Sequence, residues 1–267
     1  MSLHSTRNGV TVLEVQELTK RFGGLVAVDH VSFDVKRGEI LSLIGPNGAG
    51  KSTIFKLTTG SLSPTFGRVL FEGEEITGLP AHLVAQKGVV RTFQETTIFR
   101  DMTALENVVI AHHLRMRATA FGILLSSRRA RQDEVAIRES ANETLEYLGL
   151  GRVKHERARN LPHGHLRELG IAIAMAAAPQ VLLLDEPFTG MNPEETNRAM
   201  EMVRGIRDRG VTVLLVEHDM RAVMRISDRI IVLSFGRKIA EGPPSQIQKD
   251  EAVIEAYLGR EDEELGV

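Results

Sequence analysis

The segment EILSLIGPNGAGKST, residues 39–53, restricts the possible folds of this chain more than any other. Residues 39–45 form a compact apolar run of strand length that leads directly into a glycine-rich loop. The residues that follow, KSTIFKLTTG, have a helical pattern that ends at Gly60, a residue suited to closing a helix. A strand joined through such a loop to a helix is typical of α/β folds.

The loop itself, GPNGAGKST at 45–53, fits the pattern G-x-x-x-x-G-K-[ST] at every specified position. In such loops the glycines allow backbone N–H groups to turn around phosphate groups. Lys51 would reach the terminal phosphates, and Ser52 would ligate Mg²⁺. The candidate nucleotide-binding residues are Gly45, Pro46, Asn47, Gly48, Ala49, Gly50, Lys51, Ser52 and Thr53. A glycine-rich turn that fits by chance is disfavoured, because the strand and the helix are both present.

Strands are predicted on both sides of a helical middle. Residues 11–44 have a pattern of strands with turns, and the alternation of apolar and polar residues in it predicts antiparallel strands with one solvated face. The near-continuous apolar runs VLLLDE (181–186) and VTVLLVEHD (211–219) predict parallel strands buried on both faces. After them, RIIVLSFGRKIAEG predicts a hairpin and EAVIEAYLG a short final helix.

The middle of the chain, residues 95–160, has a mostly helical pattern. Thr103 and Glu106 resemble a capping box that opens one helix, and residues 131–150 fit a second. The order of elements predicts an α/β fold: a P-loop NTPase core with a mainly parallel sheet, an N-terminal antiparallel β subdomain and an inserted α-helical subdomain. We expect one domain over residues 1–267, divided into a core at 11–94 and 176–267 and a helical subdomain at 95–175.

Polar residues at the carboxyl ends of predicted strands are candidates for the chemistry, because ligands of open α/β sheets gather there. Asp185 would hold Mg²⁺ directly or through water, and Glu186 would polarise an attacking water molecule. The amide of Gln94 could reach the metal or that water, and the imidazole of His218 could bond the γ-phosphate. Taken alone, such a glutamine is more often a loop cap and such a histidine a structural residue.

Composition excludes several classes of protein. The chain has 267 residues, and its 33 Lys and Arg against 35 Asp and Glu give a net charge of −2, which does not favour nucleic acid as a partner. Without cysteine it forms no disulfide and no thiolate metal site. Its start lacks a signal-peptide core, and no apolar run reaches the roughly 20 residues that span a bilayer. We expect a cytoplasmic, soluble protein whose membrane role would come through a partner.

The order of the motifs resembles the nucleotide-binding subunit of ABC transporters across nearly the whole chain. That order is Lys51, Gln94, the segment 161–170, Asp185 with Glu186, and His218. Four stretches are similar more narrowly to the ATPases of branched-chain amino-acid importers: RTFQETTIFRDMTALENVVIAHH, GMNPEET, EHDMRAVMRISDRIIVL and VIEAYLG. Those importers usually carry two different ATPases, and the helical extension around 114–140 is similar to the longer one.

The resemblance implies an ATPase that uses ATP and Mg²⁺ in a head-to-tail dimer with a second ATPase subunit, identical or different. Each ATP would lie between the phosphate loop of one subunit and the signature segment of the other. That segment is Leu161, Pro162, His163, Gly164 and His165. The implied catalytic residues are Glu186, His218 and Gln94, and the implied Mg²⁺ ligands are Ser52, Gln94 and Asp185.

The resemblance also implies contacts outside the phosphate site. Phe22 would stack on the adenine, or else be a core residue beside a turn. Transmembrane permease subunits would dock on a surface that includes Ile98, Phe99 and Met102, unless these residues form the core of the helical lobe. The chain would be a peripheral subunit on the cytoplasmic face of the cell membrane. A solute-binding protein would act indirectly, and no nucleic acid is implied.

The stretch LPHGHLRELG, 161–170, departs from the usual signature of the family. Pro162 has neither the hydroxyl nor the N–H that the usual serine supplies. The loss of the serine's hydrogen bond would weaken the ATP sandwich by about tenfold to a hundredfold. Gly164, a helix N-terminus and the ring of His165 still offer a phosphate site. We therefore expect a working variant, with an ordinary helix start as the alternative. Asn192 stands where many relatives have an aspartate.

Other functions stay open at this point. The solute could be urea, an amide or an aromatic acid instead of a branched-chain amino acid. A soluble ABC ATPase that does not act in transport, or a P-loop kinase or GTPase, fits the combination of motifs less well.

The five arginines of the 115–131 segment could contact acidic lipid headgroups, or form a solvated helix face. These arginines are Arg115, Arg117, Arg128, Arg129 and Arg131.

Overall fold

The computed structural model of the protein describes residues 9–92, 98–115 and 128–258. The strands are β1 (Thr11–Phe22), β2 (Leu25–Lys36), β3 (Ile40–Ile44), β4 (Phe66–Phe71), β5 (Glu74–Glu75), β6 (Val89–Arg91), β7 (Val181–Asp185), β8 (Thr212–Val216), β9 (Arg229–Ser234) and β10 (Arg237–Gly242). The α-helices are α1 (Lys51–Thr58), α2 (Ala81–Lys87), α3 (Ala104–Arg115), α4 (Arg128–Tyr147), α5 (His163–Met175), α6 (Pro193–Asp208), α7 (Met220–Ile226), α8 (Pro244–Ile247) and α9 (Glu251–Leu258).

The N-terminal sheet is antiparallel, with the strand order β2-β1-β4-β5. Its first two strands form a hairpin that closes at Gly23 and Gly24, where Phe22 faces Leu25. Side chains of β1 and β2 alternate between buried and accessible over much of their length, as the sequence pattern predicted. The antiparallel β subdomain is thereby confirmed.

Within the described residues, the second sheet has six strands in the order β10-β9-β3-β8-β7-β6. Neighbouring strands run parallel, except that β10 pairs with β9 as an antiparallel hairpin. The predicted parallel strands over 181–186 and 211–219 are confirmed, although they end at Asp185 and Val216.

The core lies on both faces of this sheet. On one face, Leu41 and Leu43 pack in a cluster with Ile54 and Phe55 of α1 and with side chains of the N-terminal sheet. On the other face, strand side chains such as Leu182, Leu184 and Leu215 pack against helices, chiefly α3, α5 and α6. Because helices or a second sheet cover both faces, the central strands β3, β7 and β8 are mostly apolar and buried along their length.

The helical part is built on α3, α4 and α5. The capping box at the start of α3 is confirmed: the hydroxyl of Thr103 accepts a bond from the N–H of Glu106 at 3.2 Å, and the Glu106 carboxylate accepts the N–H of Thr103 at 2.7 Å. Helix α4 begins at Arg128, three residues before the predicted start, and ends before Gly149, whose φ of +79° suits a helix end. None of the helices in the described ranges is long and apolar enough to cross a membrane.

An ion-pair network around Arg229 joins the two sheets. Its guanidinium donates to Glu39 at 2.7 Å and to the backbone oxygen of Asp34 at 2.6 Å, and it also pairs with Glu241. Burial opposes the charge on Arg229, but hydrogen bonding to Glu39 and the charges of Glu39, Asp34 and Glu241 raise the pKa of the guanidinium above its usual range. This residue at the start of β9 therefore fixes β2 and β10 relative to β3.

We expect Arg229→Met to lower the free energy of unfolding by about 3 kcal/mol, because it leaves partly buried carboxylates without their partner. Lys238→Met is the matched control, since Lys238 donates to the same Glu241 at 2.7 Å from a more exposed position. That control should cost less than about 1 kcal/mol. Urea unfolding of both variants measures the difference, and equal losses would contradict the importance of the network.

Candidate active site

The carboxyl ends of β3, β7 and β8 meet at one edge of the six-stranded sheet. Leu43 of β3 and Asp185 of β7 both pair in register with Val216 of β8. The loop that starts at Gly45, the residue Glu186 and the residue His218 therefore leave the sheet side by side. Three segments that are far apart in sequence build one site.

Backbone geometry explains the glycines of the loop at 45–53. Gly45 has φ of +148°, and a Cβ there would lie 2.1 Å from the backbone oxygen of Leu233. Gly50 has φ of +101°, and a Cβ there would lie 2.6 Å from the backbone oxygen of Ala27. A side chain at either position would force the backbone of the loop to move. The loop closes at Gly50, which is the residue before the first turn of α1.

The Lys51 ammonium group lies inside the loop. Only 6% of this residue is exposed, and its Nζ donates to the backbone oxygens of Gly45 at 2.6 Å and Pro46 at 2.9 Å. A positive charge is thus held among the backbone of a loop that opens a helix, which is an arrangement suited to phosphate.

A contact that the sequence did not predict joins the loop to the C-terminal helix. Tyr257 of α9 packs against the cluster that contains Ile44, the residue before the loop. Burial raises the pKa of Tyr257, and hydrogen bonding to the backbone of Gly45 acts against that rise. The only sequence signal was the phrase VIEAYLG, which carried the resemblance but no role for the tyrosine.

The two residues predicted to act on the attacking water and the γ-phosphate are hydrogen-bonded to each other. Oε1 of Glu186 lies 2.9 Å from Nε2 of His218, and both side chains are about two-fifths exposed, at 39% and 42%. Glu186 has φ of +50°, a conformation that a residue with a side chain adopts at a cost. Its N–H donates to Val216 at 2.8 Å and its carbonyl accepts from Arg167 at 2.9 Å, so tertiary contacts hold this backbone in place.

Asp185 pairs with Arg91, a residue that the sequence did not single out. The Nη2 atom of Arg91 donates to Oδ2 of Asp185, and both side chains are largely buried. The neighbouring Thr92 reinforces the junction, because its N–H donates to the backbone oxygen of Leu183 at 2.9 Å. The signal available was position: Arg91 ends β6, the strand next to β7.

The oxygen donors at this edge fit Mg²⁺. Asp185 offers a carboxylate and Ser52 an accessible hydroxyl, which are the hard ligands that this ion prefers. Among the described residues there is no group of three or more His, Cys, Asp or Glu able to hold a metal alone. Such a sparse set suits an ion that takes one or two protein ligands together with substrate phosphates and water. Gln94, the third predicted ligand, lies outside the described residues.

The signature segment forms the start of α5. Leu161 is buried, Pro162 and His163 are exposed, and Gly164 and His165 are half-buried. Pro162 precedes the first turn and provides no side-chain cap for it. The Nδ1 atom of His165 lies 2.8 Å from Oε2 of Glu168, so one ring nitrogen bonds within its own helix. The predicted helix N-terminus is present, and its contact with phosphate stays a prediction.

Of the residues predicted to contact adenine or the permease subunits, some lie on the surface and one lies in the core. Phe22 is 48% exposed, which leaves part of its ring accessible, and the Nζ of Lys20 lies over the ring, 5.2 Å from its centre. Phe99 and Met102 are exposed, whereas Ile98 is buried in the core. Side chains of the Arg-rich 115–131 segment lie outside the described part of the chain.

Asn192 has a local structural role. Its side-chain oxygen accepts the N–H groups of Glu194 and Glu195 at 3.0 Å each, and the Glu195 carboxylate accepts the N–H of Asn192 at 2.9 Å. This capping box starts α6. An asparagine caps a helix about as well as an aspartate, so this departure from the family pattern leaves the helix start intact.

Three features together define an ATPase of the P-loop class. A glycine-rich phosphate loop follows β3, an acidic pair lies at the end of β7, and a histidine after β8 is bonded to one of those acids. The sequence model described as ABC transporter matches residues 28–189, and the model described as branched-chain amino acid ATP-binding cassette transporter matches residues 237–263. The chain belongs to the ABC transporter family and is an ATP-hydrolysing, nucleotide-binding subunit of such a transporter.

Curated relatives and solved structures agree with this family. The chain is 45% identical to the high-affinity branched-chain amino acid transport ATP-binding protein BraF of Pseudomonas aeruginosa, over 93% of this chain and 98% of the relative. It is 43% identical to LivG of Escherichia coli K12, with the same coverage. The crystal structure of a nucleotide-free ATP-binding cassette from an ABC transporter matches with a TM-score of 0.81 and 30% identity, over 93% of this chain and 99% of that one.

We expect Gly164→Asp to lower ATP hydrolysis by the assembled transporter at least about tenfold, because a carboxylate would face the phosphates of the ATP held by the other subunit. Binding of ATP to the loop at 45–53 should be unchanged. Gly164→Ala is the matched control: its Cβ would lie 3.5 Å from Oε1 of Glu195, an ordinary contact, so the fold should be kept and the loss should be much smaller. If both variants hydrolyse ATP like the parent, the segment is only a helix start.

Proposed function

We propose that this chain powers the uptake of branched-chain or related amino acids through separate membrane permease subunits. The C-terminal match over residues 237–263 and the names of the relatives at 43–45% identity support this solute class. The lipopolysaccharide export ATP-binding protein LptB of Haemophilus influenzae is 33% identical, which is a lower value over a similar length. Import is therefore favoured over export.

The observation that carries the mechanism is the 2.9 Å bond between Glu186 and His218 beside the loop that holds Lys51. In the proposed mechanism, Lys51 and the N–H groups of its loop bind the β- and γ-phosphates of ATP. Glu186 accepts a hydrogen bond from the attacking water and so directs a lone pair at phosphorus. His218, which is bonded to Glu186, orients that carboxylate and reaches the γ-phosphate.

The proposed ligands of Mg²⁺ are Ser52, Asp185 and Gln94. When it is bound, this ion supplies positive charge to the phosphate oxygens. Arg91 would orient the Asp185 carboxylate through one of its two oxygens, Oδ2.

The proposed working unit is a dimer with a second ATPase subunit, identical or different. Residues Leu161, Pro162, His163, Gly164 and His165 of each subunit would contact the ATP bound to the other. A solved structure described as a dimeric bacterial ABC transporter cassette, which is 25% identical and matches with a TM-score of 0.73, supports a dimer. The exposed Phe22 would contact the adenine.

The proposed location is the cytoplasmic face of the cell membrane, reached through the permease subunits. Phe99 and Met102 would belong to the docking surface, since they are exposed beside α3, and Ile98 would support them from the core. The proposed division of the chain is a core at 11–94 and 176–267 with a helical subdomain at 95–175. A solute-binding protein would act only through the permeases.

We expect Glu186→Gln to bind ATP like the parent and to hydrolyse it at least about a hundredfold more slowly, because an amide is a poor acceptor for a proton from water. Glu194→Gln is the matched control, since Glu194 is an exposed residue of α6 whose side chain has no part in the mechanism. Phosphate release under saturating ATP, together with equilibrium ATP binding, separates the two steps. Undiminished turnover by Glu186→Gln would refute its assigned role.

A further inference from the structure

Glu217 is a buried carboxylate to which the proposed mechanism assigns no role. It directly follows β8 and precedes His218, and only 2% of its surface is exposed. Burying a carboxylate is costly unless hydrogen bonds satisfy its oxygens. Its partners should therefore show what it does.

The carboxylate accepts backbone N–H groups from two different loops. Its Oε1 lies 2.6 Å from the N–H nitrogen of Phe188, in the loop after β7. Its Oε2 accepts the N–H of His218 at 3.0 Å, in the loop after β8. One side chain thus joins the loop that carries Glu186 to the loop that carries His218.

These bonds help to hold the strained backbone of Glu186 from both sides. On one side of the residue, the N–H of Glu186 itself donates to Val216 at 2.8 Å. On the other side, two residues later, the N–H of Phe188 is held by Glu217. The segment between these two bonds therefore has a fixed position relative to the end of β8, where His218 begins.

We infer that Glu217 is a positioning residue for ATP hydrolysis, which sets the spacing between Glu186 and His218 by holding their two loops together. This inference rests on the roles proposed for those two residues. Charge supports it: burial raises the pKa of Glu217, the hydrogen bonds from the N–H groups of Phe188 and His218 act against that rise, and the charge of Glu186 adds to it.

The test is Glu217→Gln, which keeps the size of the side chain but turns an NH₂ group towards one of the N–H donors. We expect the kcat of ATP hydrolysis by the assembled transporter to fall about tenfold or more, with the Kd for ATP unchanged because the loop at 45–53 is untouched. The control is Asp228→Asn. Asp228 accepts the N–H of Ile40 at 2.8 Å at the opposite edge of the sheet, so this variant should lose stability without losing kcat.

A double-mutant cycle with His218→Ala separates positioning from a merely structural role. If Glu217 acts through the Glu186–His218 pair, Glu217→Gln should cause little further loss of kcat once His218 is absent. Multiplied losses, or a lowered Tm with parental kcat in the single variant, would overturn the inference. Parental activity of His218→Ala would instead refute the proposed site, so the two failures are distinguishable.

Glu217→Asp serves if the glutamine variant does not fold. The shorter carboxylate keeps its charge and can still bond its neighbours in sequence, but it draws back from Phe188. We expect a reduced kcat and an unchanged Kd for ATP in this variant as well. An unchanged kcat would show that the bond to Phe188 does not matter for hydrolysis.

Discussion

The register between three parallel strands is the constraint on which the rest of this structure depends. Because Leu43 and Asp185 both face Val216, strands β3, β7 and β8 end at the same level. A shift of one residue in either pairing would move Glu186 or His218 by about 3.3 Å along the strand and would turn alternate side chains to the other face. The apolar packing on both faces prevents that shift. Core packing thereby determines the geometry of the site, down to the 2.9 Å bond between Glu186 and His218.

Much of this architecture could be predicted from the sequence, because its signals are local. The loop at 45–53 has a fixed pattern, and the apolar runs before Glu186 and His218 are too long and continuous for half-exposed strands. The order of motifs then indicated the family, which the match to the ABC transporter sequence model confirms. Element ends were less predictable: α4 begins three residues earlier than expected, because nothing in the sequence marks where it starts.

The contacts missed by the sequence all join segments far apart in the chain. Arg91 donates to Asp185 on the neighbouring strand, and Phe188 donates to Glu217 in a different loop. Tyr257 in α9 interacts with the backbone of Gly45. No spacing rule reveals such pairs, since they depend on strand order. For Glu217 there was one signal, a carboxylate in VTVLLVEHD where burial was still expected. A carboxylate that is predicted to be buried requires hydrogen-bond donors, and the backbone N–H groups of the adjacent loop were the nearest candidates.

The most direct test of the central claim is the rate of ATP hydrolysis in proteoliposomes that contain this chain with its permeases and partner ATPase. The solute-binding protein and a panel of amino acids, amides and urea would be supplied in turn. We expect leucine, isoleucine or valine to raise the rate, and this rise to disappear when the chain is left out. A rate that responds to no amino acid, or that is the same without the chain, would contradict the claim.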